Sequence, residues 1–595
     1  NSNFHYEQIH NRVPSLGNMI PENESSVVVR KNVILTVDIG SSSIRCGTYE
    51  ITEKDYVIPF GECFSVRKVR TVEPNTGKIM LKTEKGTDLQ DEIDGVIDDV
   101  LQHLRNSSMD IKVVGLGFAT FCMNLIAIDM YGQPVGKDVT LSYGCCSPEV
   151  ADECRWLKSH LGMDKEAGIY QRTGAPLHSS YALPQLRHLY TSSELSSLVD
   201  RIVVWQTLSS SCLSRWRGVP FSHVSFSEAS WTGLFNFRTC EWDKETVSLL
   251  PEACQNHMPP LCDYSDEVMP SGGMRPHKIG ENAMEKNPYW DRWPELRGLD
   301  DNGDPGCRLF FGLGDGACAN IGSNCWTNQK IAVTIGTSAA ARVCVPMQMS
   351  NYTDNFHVPR GLFCYRIDRS HVLVGGALTD GGSVIEWARQ LLNLENDNDF
   401  SDCVAEVENL LNRDYESCLE GFISPSALSV VPFLSGERSL GFRDGANFCI
   451  SGLTRNSGRA HFLKACLEGV ILRLEVILRL LQEGVESGRR KPRIVVSGAA
   501  LERNPLWRQM LADCSGLQVQ YDTTVRETTS KGVARMVAVA LAMERDMSID
   551  SSSYLVGVPK VDSIYLSPRL PITEKYWAVA LEDQENLIDA ASTVW

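Results

Sequence analysis

Apolar positions along the chain follow two different periods in turn, which predicts strands that alternate with helices. Short runs rich in Val and Ile have the length of buried strands, and longer stretches repeat apolar residues every three or four positions, as amphipathic helices do. The predicted elements are strands over 33–39, 111–120, 124–129 and 494–497 and helices over 88–104 and 461–481. A further helix is predicted after Gly381 and Gly382, with Ser383 as its N-cap. This alternation indicates an α/β fold with sites at the carboxyl ends of strands.

One turn occurs twice, about 300 residues apart, which suggests an internal repeat. Residues 33–45 read V-I-L-T-V-D-I-G-S-S-S-I-R, and residues 331–342 read I-A-V-T-I-G-T-S-A-A-A-R. A glycine at the end of a strand permits a tight turn, and the small residues after it leave backbone N–H groups free for an anion. Either copy alone is equally consistent with an ordinary turn. Together they predict two similar domains that contribute phosphate-binding hairpins to one cleft, as in actin-like or sugar-kinase-like ATPases. Mg²⁺ is expected only at the first copy, because Asp38 has the neutral counterpart Thr334.

Composition and charge narrow the class of partner. The 595 residues are long enough for two large domains, and the net charge of −17 argues against a nucleic-acid surface. No apolar run approaches the 18 or so residues of a membrane span, and no secretory signal is visible, so we expect a cytoplasmic protein without a membrane partner. The 20 cysteines include no C-x-x-C pair and are expected to be reduced. Whether the chain forms a homodimer is left open by the sequence.

Two glycine-flanked turns carry the candidate chemistry. Asp315 lies within G-L-G-D-G after an apolar run, where its carboxylate could accept the proton of a hydroxyl that attacks a γ-phosphate. The alternative is a plain turn Asp, but the I-G-T-S turn that follows about 20 residues later favours the catalytic interpretation. Gly498 and Ala499 follow a strand and could admit a flat base such as adenine, while Asn504 could contact the nucleotide or cap the next helix.

Taken together, several stretches resemble the FGGY carbohydrate kinases, and most of all their gluconate-kinase branch. The similarity runs from about residue 32 to 545 and includes V-D-I-G-S-S-S-I-R, Y-Q-R-T-G-A-P-L-H, S-W-T-G-L-F-N, L-G-D-G-A-C-A-N-I-G, T-I-G-T-S, G-G-A-L-T-D-G-G, V-P-F-L-S-G-E-R-S, V-S-G-A-A and R-E-T-T-S-K-G. The resemblance implies two actin-like (ribonuclease H-like) domains with a nucleotide and substrate cleft between them. The implied division is a flexible tail (1–31), an N-terminal domain on the acceptor side (32–327), a C-terminal domain on the nucleotide side (328–545) and a C-terminal extension (546–595).

The resemblance also implies an ATP- and Mg²⁺-dependent transfer of phosphate to a hydroxyl of a small carbohydrate, either gluconate-like or pentulose-like. Asp315 would be the general base, and Asp38 and Asp315 would hold the metal. The implied nucleotide contacts are Asp38, Gly40, Ser41, Ser42, Ser43, Arg45, Gly336, Thr337, Gly381, Gly498, Ala499 and Asn504, and the implied acceptor contacts are Asn124, Tyr143 and Asp315. Glu437 and Arg438 would belong to a loop that supports the cleft.

The acceptor half departs from the family pattern. Relatives commonly carry a His in the strand where this chain has Met123 or Asn124, and a W-x-D-x-R stretch whose places are taken here by Leu141, Tyr143 and Cys145. Losing these polar partners implies weaker binding of the usual sugar hydroxyls. The sequence therefore leaves a second hypothesis open, namely a catalytically altered, nucleotide-binding member with a regulatory or interaction role.

Overall fold

The computed structural model describes residues 30–52, 57–266, 288–298, 306–347, 356–420, 428–484, 491–523, 527–545, 562–571 and 573–595. Two mixed β-sheets dominate these residues, each flanked by helices. The predicted N-terminal tail lies almost entirely outside the described residues. No helix of the described part of the chain is long and apolar enough to cross a membrane.

The first sheet has five strands in the order β12-β4-β1-β2-β3. Its strands are β1 (Lys31–Ile39), β2 (Ile44–Ile51), β3 (Val57–Arg67), β4 (Ile111–Thr120) and β12 (Arg308–Gly314). Strands β1, β2 and β3 are antiparallel neighbours, whereas β4 runs parallel to both β1 and β12. The predicted helix is α1 (Leu89–Arg105), which Asp88 caps by accepting from Gln90 N, and its apolar face packs on this sheet. Parallel pairing brings the ends of β1, β4 and β12 to one edge.

The second sheet has seven strands in the order β15-β16-β14-β13-β19-β20-β21. They are β13 (Lys330–Ile335), β14 (Ala339–Pro346), β15 (Phe363–Asp368), β16 (His371–Leu378), β19 (Arg493–Ser497), β20 (Val519–Asp522) and β21 (Ser563–Leu566). Its central run β16-β14-β13-β19-β20 repeats the plan β3-β2-β1-β4-β12, with an antiparallel hairpin followed by parallel strands. The sequence repeat therefore corresponds to a structural repeat.

Smaller elements decorate both sheets. The remaining strands are β5 (Asn124–Ile128), β6 (Thr140–Ser142), β7 (Val204–Gln206), β8 (Val224–Ser225), β9 (Phe235–Asn236), β10 (Glu241–Trp242), β11 (Leu261–Cys262), β17 (Ser429–Val431) and β18 (Cys449–Ser451). The other helices are α2 (Pro148–Thr173), α3 (Ala182–Thr191), α4 (Ser196–Val199), α5 (Leu208–Arg217), α6 (Phe226–Ala229), α7 (Lys244–Val247), α8 (Glu252–Asn256), α9 (Pro288–Arg292), α10 (Asp315–Gly322), α11 (Gly382–Leu391), α12 (Asp397–Leu419), α13 (Arg459–Gly484), α14 (Ala499–Arg503), α15 (Pro505–Ser515), α16 (Thr528–Arg545) and α17 (Glu574–Ala591). Short 3₁₀ helices lie at Lys137–Val139, Ser193–Leu195, Ser230–Thr232 and Pro294–Leu296.

Helices α10 and α16 pack against each other between the two sheets. A side chain at Gly322 would overlap the Thr528 carbonyl, and one at Gly532 would overlap the Cys318 carbonyl, so only glycine allows this approach. The other face of α16 packs against β1 and β4 through Val533 and Val537. This arrangement joins the two halves directly behind the strand ends that carry the candidate site.

One predicted helix cap differs from the structure. The helix α11 begins two residues earlier than predicted, so its cap is Gly381 rather than Ser383, and the Ser383 hydroxyl instead donates to Asp380 Oδ1 at 3.0 Å. Beyond residue 545, the described part of the predicted extension adds β21 to the edge of the second sheet. Its helix α17 is anchored to α13 by Tyr576, whose hydroxyl donates to the buried Glu468 at 2.5 Å.

Candidate active site

The first glycine turn, between β1 and β2, is closed by backbone hydrogen bonds. Gly40 N donates to Ser43 O at 2.9 Å, and Thr71 holds the turn from outside through its hydroxyl to Gly40 O (2.9 Å) and its N–H to Ser41 O (3.0 Å). Ser43 is buried and Ser42 is exposed at the tip. A tip that is fixed in this way presents its backbone to a ligand without further ordering.

A buried ion pair lies directly behind the first turn. Asp38 and Arg45 face each other across the β1–β2 hairpin, with Arg45 Nη1 donating to Asp38 Oδ2 at 3.0 Å. Burial raises the pKa of Asp38 to about 6; the charge of Arg45 opposes the increase and that of Asp315 adds to it. Asp38 is therefore an anion at neutral pH and is close to a second carboxylate.

The second glycine turn, between β13 and β14, is one residue shorter than the first and is also closed by a backbone hydrogen bond from its glycine. Gly336 N donates to Ser338 O at 2.9 Å, and the turn then binds the start of α11, with Gly381 N donating to Thr337 O and Gly382 N donating to Gly336 O, both at 2.8 Å. A side chain at Gly381 would approach the Ser338 backbone to 2.6 Å, so the glycine is needed for this contact. The two loops therefore form one unit at the edge of the second sheet.

The third turn, after β19, borders the second. Gly498 has φ +99°, and a side chain there would overlap the Ile335 carbonyl, so this position requires glycine. Ala499 is exposed at the start of α14. Asn504 accepts from Trp507 N at 3.1 Å and so caps α15, which is the structural alternative that the sequence left open. The turn thus places a short backbone segment beside Gly336, with Ala499 uncovered.

Asp315 lies at the end of β12, at the sheet edge it shares with Asp38. Its Oδ1 accepts from Gly316 N at 2.6 Å and from the Cys122 thiol at 3.5 Å. Burial raises the pKa of Asp315, and the charges of Arg342 and Arg438 oppose the increase. Trp231 packs on the preceding strand end, where a side chain at Gly314 would come within 2.5 Å of the indole. A carboxylate that is held in place and has a raised pKa is suited to general-base chemistry.

Two arginines act on Asp315 from the second half of the molecule. Arg342 lies on β14, and its Nε would be 3.2 Å from a side chain at Gly316. Arg438 lies in the segment between β17 and β18, with its guanidinium carbon 5.5 Å from the centre of the Tyr143 ring. Neither side chain forms a hydrogen bond or ion pair with the described residues. Both positive charges are therefore available to anions that enter the cleft.

The predicted acceptor residues divide into core and surface. Asn124 is buried, and its amide is fully engaged: Nδ2 donates to Thr120 Oγ1 and Phe121 O, and Oδ1 accepts from Leu208 N at 2.8 Å. Three of the residues that depart from the family pattern are core residues, namely Met123, Leu141 and Cys145. Tyr143 is half-buried and borders Arg438. Of the two predicted uncharged acceptor contacts, Asn124 and Tyr143, only Tyr143 has exposed side-chain surface that an acceptor could contact.

Several residues that border Asp315 and Tyr143 were not predicted. Tyr181 and Tyr365 share a hydrogen bond at 2.7 Å between their hydroxyls, which joins the two halves of the molecule. His178 Nε2 lies 2.7 Å from Asp444 Oδ1 and makes a second link between the halves. Motif spacing could not indicate these pairs, because each joins residues far apart in sequence. Cys122 follows β4 as Asp315 follows β12, and this shared position was the available signal.

Asp38 and Asp315 are suited to a magnesium ion that also binds phosphates. Among the described residues, no group of three or more His, Cys, Asp or Glu could hold a metal on its own. Mg²⁺ commonly takes only one or two protein carboxylates and completes its octahedron with phosphate oxygens and water. Asp38 is buried and Asp315 is half-buried, and both lie at one sheet edge with a raised pKa, so together they could supply these one or two carboxylates. The donor set thus fits a metal that arrives with a nucleotide.

The fold and site define a class, the two-domain α/β kinases built on the actin-like ATPase fold, and comparisons with known proteins agree. The model of the FGGY carbohydrate kinase N-terminal domain matches residues 33–272, and that of the C-terminal domain matches residues 331–541. The chain belongs to the FGGY family of carbohydrate kinases. It is a phosphotransferase that uses ATP and an alcohol group of a carbohydrate as acceptor.

Individual relatives are distant. A gluconokinase of Bacillus licheniformis is 24% identical over 492 residues, covering 81% of this chain and 82% of the relative. A xylulose kinase of Staphylococcus xylosus is 21% identical over 516 residues, covering 86% and 90%. The crystal structure of gluconate kinase from Lactobacillus acidophilus matches with a TM-score of 0.72 at 18% identity, covering 95% of this chain and 99% of that one. These values establish the fold, whereas the acceptor requires a separate argument.

Proposed function

We propose that this kinase transfers the γ-phosphate of Mg·ATP to a hydroxyl of a sugar acid or ketose, gluconate-like or pentulose-like. The observation that carries the proposal is the position of Asp315, a half-buried carboxylate at the sheet edge it shares with Asp38. The relatives named gluconokinase and xylulose kinase support the acceptor class. The retained Asp315 also favours an active enzyme over a catalytically altered member.

In the proposed reaction Asp315 acts at the acceptor hydroxyl. The hydroxyl oxygen forms a bond to the γ-phosphorus while the bond from that phosphorus to the β–γ bridging oxygen breaks, and the hydroxyl proton passes to the Asp315 carboxylate. Gly316 N and the Cys122 thiol hold Asp315 Oδ1, which fixes the direction of the base. The products are the phosphorylated acceptor and ADP.

The two hairpin turns would hold the nucleotide. The turns at Gly40 and Gly336 present backbone N–H groups and small hydroxyl residues, and the turn at Gly498 lies beside Gly336, where a base could rest on exposed Ala499. Asp38 and Asp315 would hold Mg²⁺, which when bound supplies charge that stabilises the phosphates. Arg342 would face the transferred group, because it lies beside Gly316 and has no partner among the described residues.

A screen for ADP release tests this proposal. Purified full-length protein is incubated with Mg·ATP and a panel of polyols, ketoses and sugar acids, and each rate is compared with the rate without acceptor. We expect at least one sugar acid or ketose to raise ADP release well above that background. A flat response across the panel from a folded protein that binds Mg·ATP would contradict the proposed function.

A further inference from the structure

The loop over 435–445, hereafter the 435–445 loop, carries three charged side chains that are paired and one that is not. Glu437 accepts from Arg443 Nε at 2.6 Å and faces Arg473 Nη2 at 3.5 Å, and Asp444 Oδ1 lies 2.7 Å from His178 Nε2. Arg438 is half-buried and makes no hydrogen bond or ion pair with any residue that the structure describes. The guanidinium donors of Arg438 are therefore free to bind a ligand.

The backbone around Arg438 is held at several points. Ser439 N donates to Ala377 O, and its hydroxyl accepts from Ala377 N, both at 3.0 Å. At the start of the loop, Ser435 N donates to Asp380 Oδ2 at 2.7 Å. At its other end the Ser179 hydroxyl donates to Asp444 at 2.9 Å. These contacts fix the position from which Arg438 extends, so a ligand would not have to order the loop.

The surroundings of Arg438 lie on the acceptor side of Asp315. Its guanidinium carbon is 5.5 Å from the centre of the Tyr143 ring, and its charge acts on Asp315, Cys122, Tyr181 and Tyr365. Arg342 affects Asp315 more strongly than Arg438 does. Arg342 therefore interacts more with the candidate base, and Arg438 lies beside Tyr143, a predicted acceptor contact.

We propose that Arg438, beside Tyr143, binds a carboxylate of the acceptor, which makes this kinase selective for sugar acids. The inference rests on the proposed function and deepens it by choosing between its two acceptor classes. The planar fork of one guanidinium matches one carboxylate through two parallel hydrogen bonds.

Matched pairs of acceptors test the selectivity. The pairs are glycerate and glycerol, xylonate and xylitol, and gluconate and glucitol, whose members differ only in a carboxylate or a CH₂OH group. With saturating Mg·ATP, we expect kcat/KM for ADP release to favour the acid roughly tenfold or more in the pair of fitting length. Arg438→Gln should lower this acid-to-alcohol ratio at least tenfold. Arg438→Lys should give an intermediate ratio, because it retains the charge but loses the fork.

The control variant is Arg455→Gln, which removes one exposed positive charge outside the cleft and should leave the ratio as in the parent. An alcohol preferred by the parent, or an equal loss on both members in Arg438→Gln, would overturn the inference. Binding is measured separately as the rise in melting temperature with each acid or alcohol in the presence of Mg·ADP. A rise with an acid that Arg438→Gln abolishes supports the inference even if turnover fails, whereas equal rises with acid and alcohol contradict it. Failed turnover with intact acid binding would count against the proposed function alone.

Discussion

The two glycine turns join equivalent antiparallel strand pairs but differ in the charges that those strands carry. In the first, Arg45 lies across from Asp38 and their ion pair neutralises the hairpin internally. In the second, Arg342 lies across from Ala332, and Thr334 bonds only the Ser497 hydroxyl at 2.9 Å, so the positive charge of Arg342 has no partner within its hairpin. That charge acts instead on Asp315 of the other half.

The difference shows how a repeated fold can divide one task. In the proposed function both turns would offer backbone N–H groups to phosphates, but only the first would bring a carboxylate for Mg²⁺, and only the second would contribute a cation to the proposed general base. The first hairpin would thus serve the metal and the second the transferred phosphate. Variants of the charged residues can separate these roles.

The largest expected effect comes from the carboxylate between the hairpins. Asp315→Asn keeps the shape of the side chain and its bond from Gly316 N but removes the base. General-base contributions are on the order of 10²–10⁴ in rate, so kcat for phosphoryl transfer should fall by that factor. A rise in melting temperature with Mg·ADP should remain, though smaller than in the parent, because Asp38 and both turns are unchanged. A rate within about threefold of the parent would make Asp315 a structural turn residue.

Removing the free cation of the second hairpin should have the next largest effect. Arg342→Gln takes away a charge that stabilises the Asp315 carboxylate and, in the proposed function, would face the transferred phosphate. Loss of one such preorganised donor costs on the order of 10² in kcat. Steady-state kinetics of this variant and of Arg455→Gln, the exposed control, check the effect. Equal kcat in the two variants would show that Arg342 has no part in the reaction.

The Asp38 carboxylate of the first hairpin should determine how kcat/KM depends on pH on the acid side. Burial raises the pKa of Asp38 to about 6, so its carboxylate is lost as pH falls through that value, and with it the proposed metal ligand. We expect kcat/KM to fall below about pH 6. In Arg45→Gln the opposing charge is gone, so the acid limb should move to higher pH. If kcat/KM of Arg45→Gln falls at the same pH as that of the parent, Asp38 is not the group whose protonation causes the fall.

The smallest effect concerns the turn that borders the second hairpin. Gly498→Ala forces a side chain into backbone with φ +99° and against the Ile335 carbonyl. Such strain costs roughly 1–3 kcal/mol in the free energy of unfolding, and Mg·ATP binding should weaken as the turn moves. Gly458→Ala, at an exposed glycine with room for a side chain, is the control for denaturant unfolding. Indistinguishable stabilities of the two variants would contradict a required glycine at 498.

Local sequence patterns could predict the hairpins but could not predict contacts between residues that are far apart in the sequence. The glycine turns, Asp315 at a strand end and helix α1 with its Asp88 cap follow from propensity and period, which act within a few residues. Predicting the ion pair of Asp38 with Arg45 would have required the register of the hairpin, which places these two residues opposite each other. Which side chains of the β5–β6 region face the core depends on how these strands pair, which the sequence does not reveal. Met123 and Leu141, expected from the family pattern at the acceptor, therefore turned out to lie in apolar packing.

The contact between Arg438 and Tyr143 could not be predicted from the sequence either. The sequence predicted a supporting role for its loop, but neither the Tyr143 contact nor the lack of a charged partner follows from S-G-E-R-S alone. Contacts between residues nearly 300 positions apart depend on how the two halves pack. The nucleotide turns are local and repeat in the sequence, whereas the acceptor pocket is assembled from both halves.

The fate of the γ-phosphate tests the central claim most directly, namely that both hairpins hold one ATP whose phosphate Asp315 directs to a carbohydrate hydroxyl. Phosphorus NMR follows ATP consumption by the parent protein with and without the best acceptor from the screen. The account predicts one acceptor phosphomonoester for each ADP formed and little inorganic phosphate. Inorganic phosphate released in step with ADP, at a rate that does not depend on the acceptor, would contradict it.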